Sequence, residues 1–337
     1  TVYLSGVLSA SSIFIIRHPP SIIKSIKSDR NAAVFFINSF PFPGISFLQY
    51  VFYAGDKRFI ASISKITYTC TRVPFFGIAF ILVFISIKQK EDFIMIRLII
   101  VAITVIGFLI LSIPILFIEW IIGKFSPRTK EISSLRLIQG VFKLILWEAG
   151  TKVTIIGEEN VPKDTPVLYI GNHRSYFDIV LSYSRCPLRT GYIAKKEMER
   201  YPLLSNWMRY LHCLFLDRKD IKQGLKTILT AIEKVKSGIS ICIFPEGTRN
   251  ANADELELLP FHEGSFKIAS KSGCAIIPMA MNNTAEIFEA HMPKIKSTHV
   301  VLEYGKPIYV KDLPKEDQKH LGAYTQNIIH DMLEKNK

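Results

Sequence analysis

The chain has 337 residues, with 42 Lys and Arg against 29 Asp and Glu, a formal net charge of +13 and a hydrophobic content of 49%. Its pI is near 9.4 and its mean hydropathy is +0.24. A chain both basic and apolar is unlike an ordinary cytosolic protein, and without a recognisable nucleic-acid-binding motif the charge points to an anionic membrane surface, with no nucleic acid as partner. Cys70, Cys186, Cys213, Cys242 and Cys274 are odd in number and lack Cys-x-x-Cys spacing, and the eight histidines show no ligand spacing. Reduced core thiols and no metal are expected.

Residues 1–94 contain no methionine, only the acids Asp29, Asp56, Glu91 and Asp92, and much Ile, Ser and Phe without sustained periodicity. They are read as an atypical extension, translated from upstream sequence of an AT-rich bacterial gene with Met95 as the true start. Lys90-Glu91-Asp92 is what AAG-GAG-GAT would encode, a ribosome-binding sequence shortly before an ATG. The alternative is a genuine membrane extension with Val73 to Ile87 as a second apolar segment, which at fifteen residues is short for a span. From Met95 onward the balance is 32 basic to 25 acidic residues, or +7, still basic.

Leu98 to Ile118 is a run of 21 residues without a charge, bounded by Arg97 and Glu119, with Trp120 at an interface position and Pro114 as a kink site. At about 1.5 Å per residue it reaches roughly 30 Å, enough to cross a hydrocarbon core. Residues 95–123 are therefore assigned to a membrane helix. Residues 124–150 form a basic linker (Lys124, Arg128, Lys130, Arg136) and a helix with Leu137, Ile138, Val141, Phe142, Ile145 and Trp147 broadly on one side. That pattern suits an interfacial amphipathic helix, and equally a helix packed on the following domain. Counted from Met95, the basic residues cluster after the apolar segment, which by the positive-inside bias puts the remainder of the chain in the cytoplasm, at the inner membrane.

Residues 151–337 alternate between short apolar runs and helical patterns. Strands are predicted near 153–157, 167–171, 191–195, 213–217, 239–244, 275–281 and 299–304, and helices near 176–185, 203–211, 221–237, 263–272 and 315–334. This is an α/β pattern of one domain with a central, mainly parallel or mixed sheet flanked by helices. In such sheets ligands bind at the carboxyl ends of the strands.

Two polar segments follow predicted strands: Asn172-His173-Arg174-Ser175-Tyr176-Phe177-Asp178 and Phe244-Pro245-Glu246-Gly247-Thr248-Arg249. His173 and Asp178 are five apart, which on one regular helix would leave them about 140° from each other. If His173 precedes the helix and Asp178 lies in its first turns, the carboxylate reaches back to one ring nitrogen and the other is free as a general base. Ser175 has no second base of its own, so a substrate hydroxyl is favoured over an acyl-serine. Gly247 permits close backbone approach to a ligand, and Arg249 and Arg218, the latter ending Leu214-Phe215-Leu216-Asp217-Arg218, suit phosphate. Taken singly, an Asn-His pair or a Pro-Glu-Gly turn has an ordinary structural explanation. Their ordered co-occurrence at strand ends carries the functional reading.

With these blocks the sequence resembles the glycerolipid acyltransferase family, over roughly residues 130 to 310. Four ordered blocks match: His-x4-Asp at 173–178, an apolar run ending in Arg218, Phe-Pro-Glu-Gly-Thr-Arg at 244–249, and, more loosely, Ala275-Ile276-Ile277-Pro278-Met279. The resemblance implies an acyltransferase domain behind an N-terminal membrane element, in some members a helical pair docked on one leaflet without crossing. It implies His173 as base, Asp178 as its support, and Arg218, Glu246, Gly247 and Arg249 at the acceptor phosphate. Asn172, Thr248 and Pro278 become supporting or acyl-pocket positions. Lys195, in a stretch similar to that between the family's first two blocks, is placed near the phosphate, although a solvated lysine pair explains it equally.

The expected activity is acyl transfer from acyl-CoA or acyl carrier protein to lysophosphatidic acid, giving phosphatidic acid, with no bound cofactor and with membrane lipids as partners. Another lysophospholipid or glycerol 3-phosphate as acceptor is the alternative within the same chemistry. A non-catalytic lipid-binding protein is the alternative outside it, and it has no use for an intact His173 and Asp178.

Overall fold

A computed structural model describes residues 90–337, with side chains from Met95, and four three-residue strands before them. The chain divides into two units, Thr1–Ile85 and Ser86–Lys337. In the first, Phe14–Ile16 pairs parallel with Val34–Phe36, and Phe52–Ala54 antiparallel with Lys57–Phe59. The apolar segment Val73 to Ile87 and Cys70 lie outside the described residues, as does almost all of the 1–94 extension.

In the second unit α1 (Lys90–Phe125) continues through Pro114, and α2 (Pro127–Glu148) begins after a single intervening residue. Ser126 ends one helix and caps the next, its hydroxyl accepting from Thr129 N, with Pro127 at the first helical position where no N–H is needed. The stretch Met95–Phe125 is long and apolar enough to cross a membrane.

The polar residues of α1 are not scattered. Thr104 donates to Glu148 of α2 at 2.7 Å, and Ser112 accepts from Trp207 Nε1 at 2.9 Å. Glu119 accepts from Ser133 at 2.8 Å, while Arg97 lies beside Gly150. One side of the helix is thus docked along its length. The opposite row, Ile99, Ile103, Ile106, Ile110, Ile113 and Phe117, spaced by four and three residues, is exposed.

The amphipathic pattern of α2 resolves as packing. Leu135, Ile138, Ile145 and Leu146 are buried against the domain, and Gln139 donates to the carbonyls of Tyr183 and Cys186. Trp147, expected on that face, is instead exposed. Glu131 ties the helix to the far edge of the sheet through Arg189 at 2.6 Å and His212 at 3.2 Å.

All seven predicted strands form: β1 (Lys152–Ile156), β2 (Leu168–Gly171), β3 (Thr190–Lys195), β4 (Leu214–Leu216), β5 (Ser240–Ile243), β6 (Ile276–Asn282) and β7 (His299–Tyr304). Their order is β1-β7-β6-β2-β5-β3-β4. Every neighbouring pair is parallel except β6 and β7, so the sheet is mixed, with β1 and β7 reversed. Between the strands run α3 (Tyr176–Tyr183), α4 (Pro202–Tyr210), α5 (Ile221–Lys236) and α6 (Lys267–Ser272), and after β7 follow α7 (Lys315–Lys319) and α8 (Leu321–Lys335).

Two predicted helices are broken. The 263–272 segment opens with a 3₁₀ turn, Glu263–Phe266, before α6. The C-terminal helix splits at His320, because the Gly322 N–H goes to the Glu263 carboxylate at 2.9 Å instead of continuing the helical ladder.

The alternation of strand residues sorts the core into two layers. Tyr169, Ile277, Met279 and Met281 face the layer made with α1 to α4. Leu168, Ile170, Ile276 and Ala280 face the layer made with α5, α6 and α8. Trp207 is the pin of the first layer: 2% exposed, bonded to Ser112 and 5.7 Å from the Phe108 ring. Trp207→Ala is expected to cost about 3–5 kcal/mol, read as a lower thermal midpoint and as faster proteolysis between α1 and α2. An unchanged midpoint would mean that the hairpin does not share the stability of the domain.

Candidate active site

β2, β5, β3 and β4 lie side by side and parallel, so their carboxyl ends share one edge of the sheet. After β2 comes His173, after β5 the Glu246 to Arg249 segment, at the end of β3 Lys195, and after β4 Arg218. The topology gathers residues that are up to 76 positions apart in the chain.

Asn172, the first residue past β2, is fully buried and bonded twice to Met281 of β6, accepting from its N–H at 2.9 Å and donating to its carbonyl at 3.0 Å. It fixes where the strand ends and serves as a support. His173 then lies in the turn before α3. Ser175 is the N-cap of that helix and Asp178 its third residue, forming a capping box.

Asp178 is completely buried, and one oxygen, Oδ2, takes three donors: His173 Nδ1 at 2.8 Å, Arg174 N at 2.7 Å and Ser175 N at 2.7 Å. With Nδ1 donating to the carboxylate, Nε2 is the basic nitrogen of the neutral ring. The ring stacks on Phe244, with centroids 4.3 Å apart and planes within 12°. Its side chain is 15% exposed, open enough to meet a substrate.

The backbone of His173 is gripped from both sides. Its N–H donates to Glu246 Oε1 at 2.7 Å and its carbonyl accepts from Asn250 N at 2.7 Å. Glu246 is 4% exposed, and its second oxygen accepts from Leu259 N at 3.0 Å. Burial pushes this carboxyl above its ordinary range, opposed by the two backbone N–H bonds. The phosphate contact that the family resemblance implied for Glu246 is corrected here: both oxygens are engaged by amides, and a carboxylate has no proton to offer a phosphate. Its task is to hold the histidine turn.

Gly247 sits at φ +73°, a conformation that strains a residue with a Cβ, and a Cβ there would also press on the His262 ring at 3.2 Å. Thr248 is exposed. Arg249 donates to Glu289 at 3.3 Å, with its guanidinium 3.9 Å over the Tyr176 ring. Lys195 is exposed and pairs with Glu197 at 3.2 Å. Arg218 is exposed, with no side-chain partner among the described residues.

Pro278 is buried in β6 opposite Ile170 of β2. Strand alternation turns it, with Ile276 and Ala280, toward the α5 and α8 layer, away from Phe244 and His173. It is therefore a sheet residue and no wall of a pocket beside the histidine, which corrects the acyl-pocket expectation.

Ser175 is also accounted for. Its hydroxyl accepts from Phe177 N at 2.9 Å and donates to Glu289 at 2.6 Å, as a helix cap does. The Ser-x-x-Asp spacing carried that signal in the sequence. Phe244 could be read only as part of a motif, and Glu289, 111 residues beyond Asp178 in an irregular stretch, had no signal at all. The described cysteines are free. Burial pushes Cys186 and Cys213 up to about 11, which leaves them protonated and inert. Among the described residues no group of three His, Cys, Asp or Glu is arranged to hold a metal.

The acyltransferase family profile matches residues 152–282. The 1-acyl-sn-glycerol-3-phosphate acyltransferase of Borreliella burgdorferi is 31% identical over 205 residues, covering 59% of this chain and 77% of the relative. That of Saccharomyces cerevisiae is 30% identical over 200 residues, covering 59% and 63%. Among solved structures, the crystal structure of the lysophosphatidic acid acyltransferase PlsC from Thermotoga maritima superposes with a TM-score of 0.63 over 74% of this chain and 99% of its own, at 22% identity. At that identity the likeness is one of fold.

The cap assignment of Ser175 has a direct consequence. Ser175→Ala is expected to destabilise the protein by about 0.5–2 kcal/mol, measured by thermal or denaturant unfolding, while turnover stays within about tenfold of the parent. Loss of turnover by about three orders of magnitude at unchanged stability would restore Ser175 as a nucleophile.

Proposed function

The chain belongs to the acyltransferase family that includes the 1-acyl-sn-glycerol-3-phosphate acyltransferases, and on that footing we propose that it transfers an acyl group from a thioester, acyl-CoA or acyl-acyl carrier protein, to the sn-2 hydroxyl of 1-acyl-sn-glycerol-3-phosphate, forming phosphatidic acid. The observation that carries this reading is the His173 Nδ1 to Asp178 Oδ2 contact of 2.8 Å at the carboxyl edge of the sheet, which leaves Nε2 free to take a proton.

In the proposed mechanism Nε2 of His173 removes the acceptor hydroxyl proton as that oxygen attacks the thioester carbonyl. The tetrahedral intermediate collapses with cleavage of the carbon–sulfur bond, and the imidazolium returns the proton to the departing thiolate. Asp178 keeps the ring in the tautomer that exposes a basic Nε2 and stabilises the imidazolium. No covalent enzyme intermediate is needed. Arg218, Arg249 and Lys195 are proposed to meet the acceptor phosphate, with Gly247 allowing its approach and Thr248 beside it.

The α1–α2 hairpin is the proposed membrane element, at the inner membrane with the catalytic domain in the cytoplasm, where both thioester donors reside. Thr104, Ser112 and Glu119 are bonded within the protein, while the isoleucine row of α1 is exposed. A 36-residue helix is about 54 Å long, well beyond a hydrocarbon thickness of about 30 Å. Docking from Arg97 to Glu119 on one side favours a helix laid in one leaflet over a crossing one.

The mechanism is tested by steady-state kinetics with lysophosphatidic acid and each thioester. His173→Ala is expected to lower turnover by about 10²- to 10⁴-fold, with Asp178→Asn also severely impaired. Arg218→Ala should raise the acceptor KM and leave the donor KM near its parent value. A near-parental rate for His173→Ala would overturn the base assignment, and a change confined to the donor KM would move the phosphate site elsewhere.

The orientation is tested in intact spheroplasts of an expressing bacterium. Added protease is expected to leave the region after Lys124 undigested until the cells are lysed. Cleavage there before lysis would place the domain on the other side.

A further inference from the structure

Glu289 lies beyond the residues matched by the family profile, in a 3₁₀ turn (Glu289–His291) after β6. It nevertheless reaches the first turn of α3. Its Oε1 accepts from Tyr176 N at 2.7 Å and from Arg249 Nη1 at 3.3 Å, and its Oε2 accepts from Ser175 Oγ at 2.6 Å. The carboxylate side chain is 16% exposed. The 3₁₀ turn just before it, Thr284–Ile287, is anchored by Ile287, fully buried, whose carbonyl accepts from Lys296 N at 2.9 Å.

We propose that Glu289 is a positioning residue that ties Arg249 to the helix carrying Asp178 and so sets the guanidinium for the acceptor phosphate. The inference rests on the reading of Arg249 as a phosphate ligand. Arginine is long and flexible, and its value for a phosphate depends on how little freedom it has left to lose. Here one face of the guanidinium lies on the Tyr176 ring and one N–H is fixed by Glu289, which leaves further N–H donors of the fork for a ligand. Glu289 and Tyr176 form a two-sided seat.

Charge gives a second reason. A carboxylate at the N-terminus of α3 is favoured by the unsatisfied N–H groups there, but a bare negative charge beside the site would oppose a phosphate. Pairing with Arg249 cancels that charge. The base pair and the phosphate clamp thereby share one support: Ser175 and Tyr176 flank the turn that holds His173, and Glu289 binds both of them together with Arg249.

The test is a double-mutant cycle of Glu289→Gln and Arg249→Ala, with acceptor KM, donor KM, turnover, its pH profile and thermal midpoint measured for each protein. Gln keeps an acceptor for Tyr176 N and removes the charge that fixes Arg249. Glu289→Gln is expected to raise the acceptor KM about 3- to 10-fold, with donor KM, pH profile and midpoint near parental. The double variant should match Arg249→Ala alone, because Glu289 acts through Arg249. Additive effects, or a lowered midpoint with an unchanged acceptor KM, would reduce Glu289 to a helix cap and overturn the proposal. An unchanged acceptor KM in Arg249→Ala would remove the phosphate reading itself; an elevated one with Glu289→Gln silent would sink only the inference. If Glu289→Gln does not fold, Tyr176→Leu, which removes the exposed ring and keeps the N–H, is read by the same criteria.

Discussion

The site depends on one oxygen. Asp178 Oδ2 is buried without access to water and holds the His173 ring and two consecutive backbone amides at 2.7–2.8 Å. A buried carboxylate is tolerated only when hydrogen-bonded, so these donors are the condition of its presence as well as the means by which it shapes the turn. The same contacts that cap α3 therefore orient the His173 ring. A change in the helix start is a change in the ring's position.

What surrounds that oxygen serves to keep the turn from moving. Asn172 latches β2 to β6, Glu246 and Asn250 bracket the His173 backbone, and Phe244 covers the ring face. Asn172, Phe244 and Glu246 lie just past strand ends, so the rigidity of the sheet is passed to the site through one or two bonds. Phe244 also packs on the core layer that meets α1 to α4. The layer facing the histidine is thus the layer carrying the exposed apolar row of α1, which joins the His173 turn and the α1–α2 hairpin through a shared core.

Most of the architecture was legible in the sequence because its signals are local. Buried strands read as short apolar runs, and Leu98 to Ile118 read as a long apolar helix whatever it packs against. The pairing of His173 with Asp178 was legible because helix geometry excludes a single regular helix through both and leaves the strand–turn–helix junction. The roles of Glu246 and Pro278 were not, since they are set by which way a side chain faces once the sheet is built. Period-2 alternation assigns Pro278 to a layer only after the neighbours of β6 are known. The break at His320 depends on Glu263, 59 residues from Gly322, and no window along the chain contains both.

The distribution of charge at the sheet edge follows from the same hydrogen bonds. Asp178 and Glu246 are acids, yet Asp178 Oδ2 is taken by His173 and two backbone amides and both oxygens of Glu246 by backbone amides, and Glu289 spends its own on Ser175, Tyr176 and Arg249. Lys195, Arg218 and Arg249 stand at that edge with exposed side chains. Glu197 and Asp217 at the same edge are turned outward and pair with Lys195 and Lys196, so of these basic side chains Arg218 is the one without an acidic partner among the described residues. In the proposed reaction Arg218 is the side chain at this edge best placed to meet a phosphate. The proposed acceptor, with a phosphate near its free hydroxyl, would use Arg218 and the free nitrogen of His173 together.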